Sequence, residues 1–132
     1  MEKFSALRVL IVDDEPLIRW SLAESLVQWG HLVQETGDAA KTLQKLADGY
    51  RPDVVLLDLT LPDSNDLSLL RSIRSLSPDS AVVMMSSFIT PEMSIAAVQL
   101  GAYRVMSKPV ELDDLAPLVV ESSLAYRHVL KR

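Results

Sequence analysis

The chain has 132 residues, enough for one domain with a substantial core and too few for a second. Its 48% hydrophobic and 23% charged content is that of a soluble globular protein, and no apolar run approaches the ~20 residues a membrane helix needs. A net charge of -5 with 13 scattered Lys and Arg argues against direct nucleic-acid binding, and the absence of cysteine excludes disulfides, thiolate metal sites and cysteine nucleophiles, so the cytoplasm is the expected compartment.

The first apolar run, in "MEKFSALRVLIVDDE", ends in acids rather than a small-residue cleavage site and does not read as a signal peptide. It supplies the first predicted strand, "RVLIV" at 8–12, nearly continuous in apolar residues as a parallel strand covered on both faces must be. Asp13, Asp14 and Glu15 follow, then a helix over 16–29 with Leu17, Leu22 and Leu26 at helical spacing. "LVQET" at 32–36 alternates more and suits a sheet edge, and a helix over 39–48 comes after it. "DVVLL" at 53–57 leads to Asp58 and a helix over 66–76; "AVVMM" at 81–85 leads to Ser86, Ser87 and a helix over 92–100. "YRVMS" at 103–107 leads to Lys108, Pro109 and a helix from about 112 to the end. Gly30, Gly49 and Gly101 sit where helices should stop, and Asp38 and Asp79 lie in turn-rich joints. The basic tail "LAYRHVLKR" reads either as a domain end or as a cut through a longer helix.

Strands alternating with helices at this spacing imply one parallel sheet with right-handed crossovers and helices on both faces. The binding crevice of such a sheet lies at the carboxyl ends of its strands. There the sequence collects Asp13 and Asp14, Asp58, Ser86 and Ser87, and Lys108 with Pro109. Three carboxylates about 4 Å apart repel by about 4 kcal/mol per pair near the protein surface, a large sum against a domain's total stability of about 5–15 kcal/mol. Lys108 offsets part of that, and a hard divalent cation would offset more; carboxylates without His or Cys suit Mg²⁺ better than Zn²⁺. A cation held by acids beside a further carboxylate, with a lysine and a hydroxyl facing it, suits phosphoryl transfer, with Asp58 as the attacking group. Taken singly, each residue has a plainer reading: Asp14 or Glu15 at a helix start, Asp58 in a turn, Ser86 at a strand end, Lys108 on the surface. Their convergence on one edge favours the chemical reading. His31 and His128 have no ligand spacing, and Trp20, Trp29 and the leucines of the first helix read as core or surface only.

The segments "LIVDDEP", "DVVLLDLTLP", "VVMMSS" and "GAYRVMSKP" together resemble the receiver domain of two-component response regulators, over nearly the whole chain. The resemblance implies a (βα)5 flavodoxin-like three-layer sandwich with strand order 2-1-3-4-5, spanning 1–132. It implies that Asp58 accepts a phosphoryl group from a sensor histidine kinase or phosphotransfer protein. Asp14, Asp58 and the backbone carbonyl of Thr60 would bind Mg²⁺, with Asp13 acting directly or through water. Lys108 would pair with the phosphoryl oxygens across a cis Lys108–Pro109 bond, and Ser86 would move to hydrogen-bond the phosphate. Such a domain switches conformation, catalyses only its own phosphorylation and dephosphorylation, and regulates an output, with transcription and a homodimer on activation as further expectations.

Three positions depart from the family's usual pattern. Val105 stands three residues before the lysine, where an aromatic is usual, with Tyr103 two residues earlier; signalling should then rest on Ser86 and the loop from Ser87 to Pro91. Asp66 stands where a glycine is usual, which implies a reshaped loop or a strained left-handed backbone. Thr60 and Phe88 occupy variable positions with no acid or amide to orient water, and Phe88 could shield the bond, so slow self-dephosphorylation is expected. In the helix 92–100, Met93, Ala97 and Leu100 form a core stripe, while Ile95 and Val98 fit either more core or a patch for a partner or second copy. Two rivals are weaker. An aspartyl-phosphate phosphohydrolase would carry a second acid two residues after the nucleophile, which "DLTLP" lacks. A flavodoxin-like binding module would need a glycine-rich phosphate loop, and the chain has four glycines in all.

Overall fold

The computed structural model describes residues 6–130, with side chains to Tyr126; Lys131, Arg132 and the side chain of His128 in the basic tail lie outside the described residues. Strands β1 (Arg8–Val12), β2 (Leu32–Thr36), β3 (Val54–Asp58), β4 (Ala81–Ser86) and β5 (Ala102–Ser107) alternate with helices α1 (Pro16–Gln28), α2 (Ala39–Ala47), α3 (Ser68–Leu76), α4 (Pro91–Gln99) and α5 (Leu112–Leu130). All strand pairs are parallel, in the order β2-β1-β3-β4-β5. The fold implied by the resemblance is the fold present.

Period-2 geometry explains the unbroken apolar strands. Val9 and Ile11 of β1 point into a core shared with α1 and α5, while Leu10 and Val12 point into a second core shared with α2, α3 and α4. Both sets are fully buried, and each such side chain contributes about 1.5–3 kcal/mol by leaving water. β2, at the edge, is mostly exposed, as its alternation foretold.

The helix starts are set by local chemistry. Glu15 takes an extended backbone before Pro16, the first helical residue of α1, and α1 buries Leu22, Ala23 and Leu26. Leu17, at the same helical spacing, is 80% exposed, and Trp20 and Trp29 are surface residues. Asp38 caps α2 by accepting the Lys41 N–H at 2.7 Å. Asp63, from the loop after β3, accepts the N–H groups of Ala39 and Ala40, tying that loop to the same helix end. The third helix begins at Ser68 rather than at 66, because the Asp66 carboxylate accepts the Ser68 N–H at 2.8 Å. Among the described residues no non-glycine has a positive φ, so Asp66 carries no left-handed strain; it stands one residue before Leu67, the N-cap of α3, and its side chain closes a local turn onto Ser68. Thr90 caps α4, whose Ala97 is buried while Ile95 and Val98 are exposed, so the second stripe is a surface patch.

At the opposite edge of the sheet, His31 is buried and its Nδ1 accepts the Leu7 N–H at 3.1 Å, which assigns the ring its neutral Nε2–H form. Arg74 donates to the carbonyls of Pro78 and Ser80 and to the Tyr126 hydroxyl, and its guanidinium lies 4.8 Å from the centre of the Tyr126 ring. The distal half of α5 is thereby fastened to the turn between α3 and β4. Gly101 passes close to this cluster; its φ of 106° favours glycine, and a Cβ there would meet Arg74 Nε at 2.8 Å. Pro117 lies inside α5.

Candidate functional site

The site grows from the carboxyl ends of β1, β3 and β5. β1 and β3 are neighbours in parallel register, so Asp13, one residue past β1, and Asp58, the last residue of β3, emerge side by side. Lys108, one residue past β5, reaches across β4 to both. Its Nζ lies 2.9 Å from Asp13 Oδ2, 3.1 Å from Asp58 Oδ2 and 3.4 Å from Glu15 Oε1. The lysine side chain is only 7% exposed and the two aspartates are buried. The Lys108–Pro109 peptide is cis, as the resemblance implied.

Burial pushes the Asp58 carboxyl above its usual range, opposed by the Thr60 N–H and the Lys108 ammonium and reinforced by the charge of Asp13. For Lys108, burial alone would lower the pKa, but hydrogen bonds to Asp13 and Asp58 outweigh it and hold the ammonium well above its ordinary value. One carboxylate oxygen from each of Asp13, Asp14, Glu15 and Asp58 falls within 4.8 Å of the others. That donor set is all hard oxygen, with no His or Cys, and fits a hard divalent cation. Asp14 is exposed and gives the cluster its solvent side.

The remaining expected residues are placed less directly. Thr60 donates its N–H to Asp58 Oδ1 at 3.2 Å and is otherwise exposed. Ser86 ends β4 with a buried hydroxyl that accepts the Phe88 N–H at 3.1 Å and lies 3.0 Å from the Phe88 carbonyl, so it is engaged with its own loop. Phe88 is 87% exposed. In β5 a register shift opposite Val82 and Val83 leaves Tyr103 as an extra residue. Tyr103 consequently packs with the α1 and α5 core, whereas Val105 packs with the α4 side. The tyrosine therefore does not replace the aromatic missing at 105.

Two residues that spacing did not single out belong here. Glu15, assigned only to the start of α1, also reaches Lys108. Arg19 donates from Nη1 to the Asp13 carbonyl at 2.7 Å and from Nε to Glu35 at 3.2 Å. The signal for Arg19 was electrostatic: three consecutive acids call for a counter-charge, and it is the first cation after them in the chain.

The family model of the response regulator receiver domain matches residues 9–120. The DNA-binding transcriptional regulator NtrC of Azospirillum brasilense is 34% identical over 87% of this chain, which spans 24% of that regulator's length. The chemotaxis protein CheY of Bacillus subtilis is 31% identical over 80% of this chain and 88% of its own. A CheY-like receiver domain protein from Methanospirillum hungatei superposes with a TM-score of 0.87 at 28% identity, covering 94% of this chain and 98% of the other. Because that match runs from the first strand into the last helix and takes in every strand end that carries an acid, hydroxyl or lysine, the chain belongs to the response-regulator receiver domains, the phosphoacceptor modules of two-component signalling.

Proposed function

We propose that Asp58 is the phosphoacceptor, taking a phosphoryl group from the phosphohistidine of a sensor kinase or phosphotransfer protein. The observation that carries the reading is the buried triangle of Asp13, Asp58 and Lys108 at the carboxyl edge of the sheet. An Asp58 oxygen forms the new O–P bond in line as the P–N bond to the donor histidine breaks, and Lys108 pairs with the transferred oxygens. Asp13, Asp14, Asp58 and the Thr60 carbonyl would hold Mg²⁺, which when bound neutralises charge on the phosphoryl oxygens. Ser86 would exchange its Phe88 contacts for the phosphate, drawing in the 87–91 loop.

An apolar surface beside the site supports docking of the phosphodonor there. A groove of about 280 Å³ lined by Leu17, Ile18, Leu22, Pro109 and Val110 opens beside Lys108, with Leu17 and Trp20 exposed next to it. The curated NtrC relatives are about four times as long as the matched region. We therefore read 1–132 as a receiver unit that α5 joins to an output domain, acting in the cytoplasm on no substrate but its own aspartate. Among the described residues no helix is long and apolar enough to cross a membrane.

The test is intact mass after incubation with acetyl phosphate and Mg²⁺. One added phosphate on the parent and none on Asp58→Ala is the expected result; equal labelling of both removes Asp58 from the role.

A further inference from the structure

Arg19 lies on the side of α1 that faces β2 rather than the groove beside Lys108. Its side chain is only 24% exposed, and two of its nitrogens donate, Nη1 to the Asp13 carbonyl and Nε to Glu35 on β2. Asp13 is thus fixed through every polar group it has. Its N–H donates to the Thr36 carbonyl at 3.1 Å, its carbonyl accepts from Arg19, Oδ1 accepts the Glu15 N–H at 2.9 Å and Oδ2 holds Lys108. The carbonyl that Arg19 grips belongs to the peptide bond joining Asp13 to Asp14, so the guanidinium fixes the plane from which both carboxylates diverge. Because Glu35 already pairs with the guanidinium, little of its charge is left to repel a cation in the acid pocket. Gly37 makes the arrangement fit: a Cβ there would lie 2.9 Å from Arg19 Nη1 and 3.9 Å from the Asp13 carbonyl oxygen.

We infer that Arg19, seated against Gly37 and Glu35, is a positioning residue that sets the Mg²⁺ affinity of the Asp13–Asp14 pair by clamping the peptide between them. The inference rests on the proposed function and adds a residue outside the acid cluster to it. Groups that orient metal ligands from behind change metal affinity about 10–100-fold when removed. A mere clip between α1 and β2 would affect stability and leave affinity alone. A simple counter-charge would do the reverse of clamping, since its removal would tighten Mg²⁺ binding.

The experiment is calorimetric titration of the chain with MgCl₂, with circular dichroism as the check on folding, for the parent, Arg19→Ala, Arg19→Lys and Gly37→Ala. Clamping predicts a dissociation constant raised about 10-fold or more in Arg19→Ala. Arg19→Lys should fall between parent and alanine, because an ammonium keeps the charge but not the fork that serves both acceptors. Gly37→Ala keeps the guanidinium and pushes it off the carbonyl, so it too should weaken binding, by less. In all three, phosphorylation from acetyl phosphate should recover towards the parent's rate at saturating Mg²⁺. A folded Arg19→Ala that binds Mg²⁺ as tightly as the parent, or more tightly, overturns the inference; if that variant does not fold, unchanged affinity in Gly37→Ala overturns it. A parent that binds no Mg²⁺ removes the proposed metal site along with it, whereas a parent that binds Mg²⁺ and is phosphorylated only at Asp58 leaves that reading standing whatever Arg19 does.

Discussion

Asp66 occupies a position where glycine is usual, eight residues after Asp58, and its carboxylate accepts the Ser68 N–H at the start of α3. The aspartate thus shapes with a side-chain turn what glycine shapes by conformational freedom, and the gain in stability that relief of a left-handed residue would bring with Asp66→Gly does not follow. Asp66→Ala should lower the urea midpoint slightly at unchanged slope; an increase in stability would show that the Asp66–Ser68 hydrogen bond contributes nothing. The acids and the lysine of the site were legible because their meaning comes from position at strand ends, which the strand pattern fixes. Arg19 and Glu15 were not, because their roles depend on where α1 turns its first two turns, and helical spacing alone does not settle that: Leu17 shares the spacing of Leu22 and Leu26 and still lies on the surface.

Among the elements, the strands were read to within about a residue because burial on both faces leaves an unmistakable apolar run, as in β3 and β4. β5 carries information that periodicity hid. Tyr103 and Val105 are two apart and should share a face, but the register shift against β4 inserts one residue and sends them to opposite cores. With no aromatic on the α4 side of β5, activation should not depend on a ring moving there. Val105→Ala should be phosphorylated at the parent's rate and show the parent's phosphorylation-dependent change in amide exchange over the 87–91 loop and α4. Loss of that change with phosphorylation intact would show that the valine itself transmits the signal.

At the scale of the whole molecule the sheet has two polar edges with different work. The carboxyl edge gathers the acids and Lys108; the opposite edge holds His31 and the Arg74 cluster. Burial lowers the His31 pKa below its ordinary value near 6.5, and protonation would remove the acceptor of the Leu7 N–H. The unfolded chain therefore takes up the proton first, so this contribution to stability is intact above pH 6.5 and is lost as pH falls below it towards the folded-state value. His31→Asn, whose amide oxygen can accept the same N–H without titrating, should shrink the fall in urea midpoint between about pH 7.5 and about pH 5.5. An unchanged fall would assign it to other groups. None of this edge was legible beforehand: a lone histidine and an arginine in the last turn of α3 carry no spacing signal, and Leu7 and Tyr126, which complete their bonds, come from elements distant in sequence.

The last helix joins the two edges. It begins three residues after Pro109 and, at its far end, Tyr126 is bound to Arg74 and to the carbonyl of Pro78. A strut held at both ends passes on a displacement by rolling about its axis or by flexing. Pro117, which has no N–H to return to the Asp113 carbonyl, is the joint where flexing meets least resistance. Movement at the lysine end would thus leave the clasped end as torque rather than as travel, and anything attached beyond residue 130 would be turned more than it is shifted.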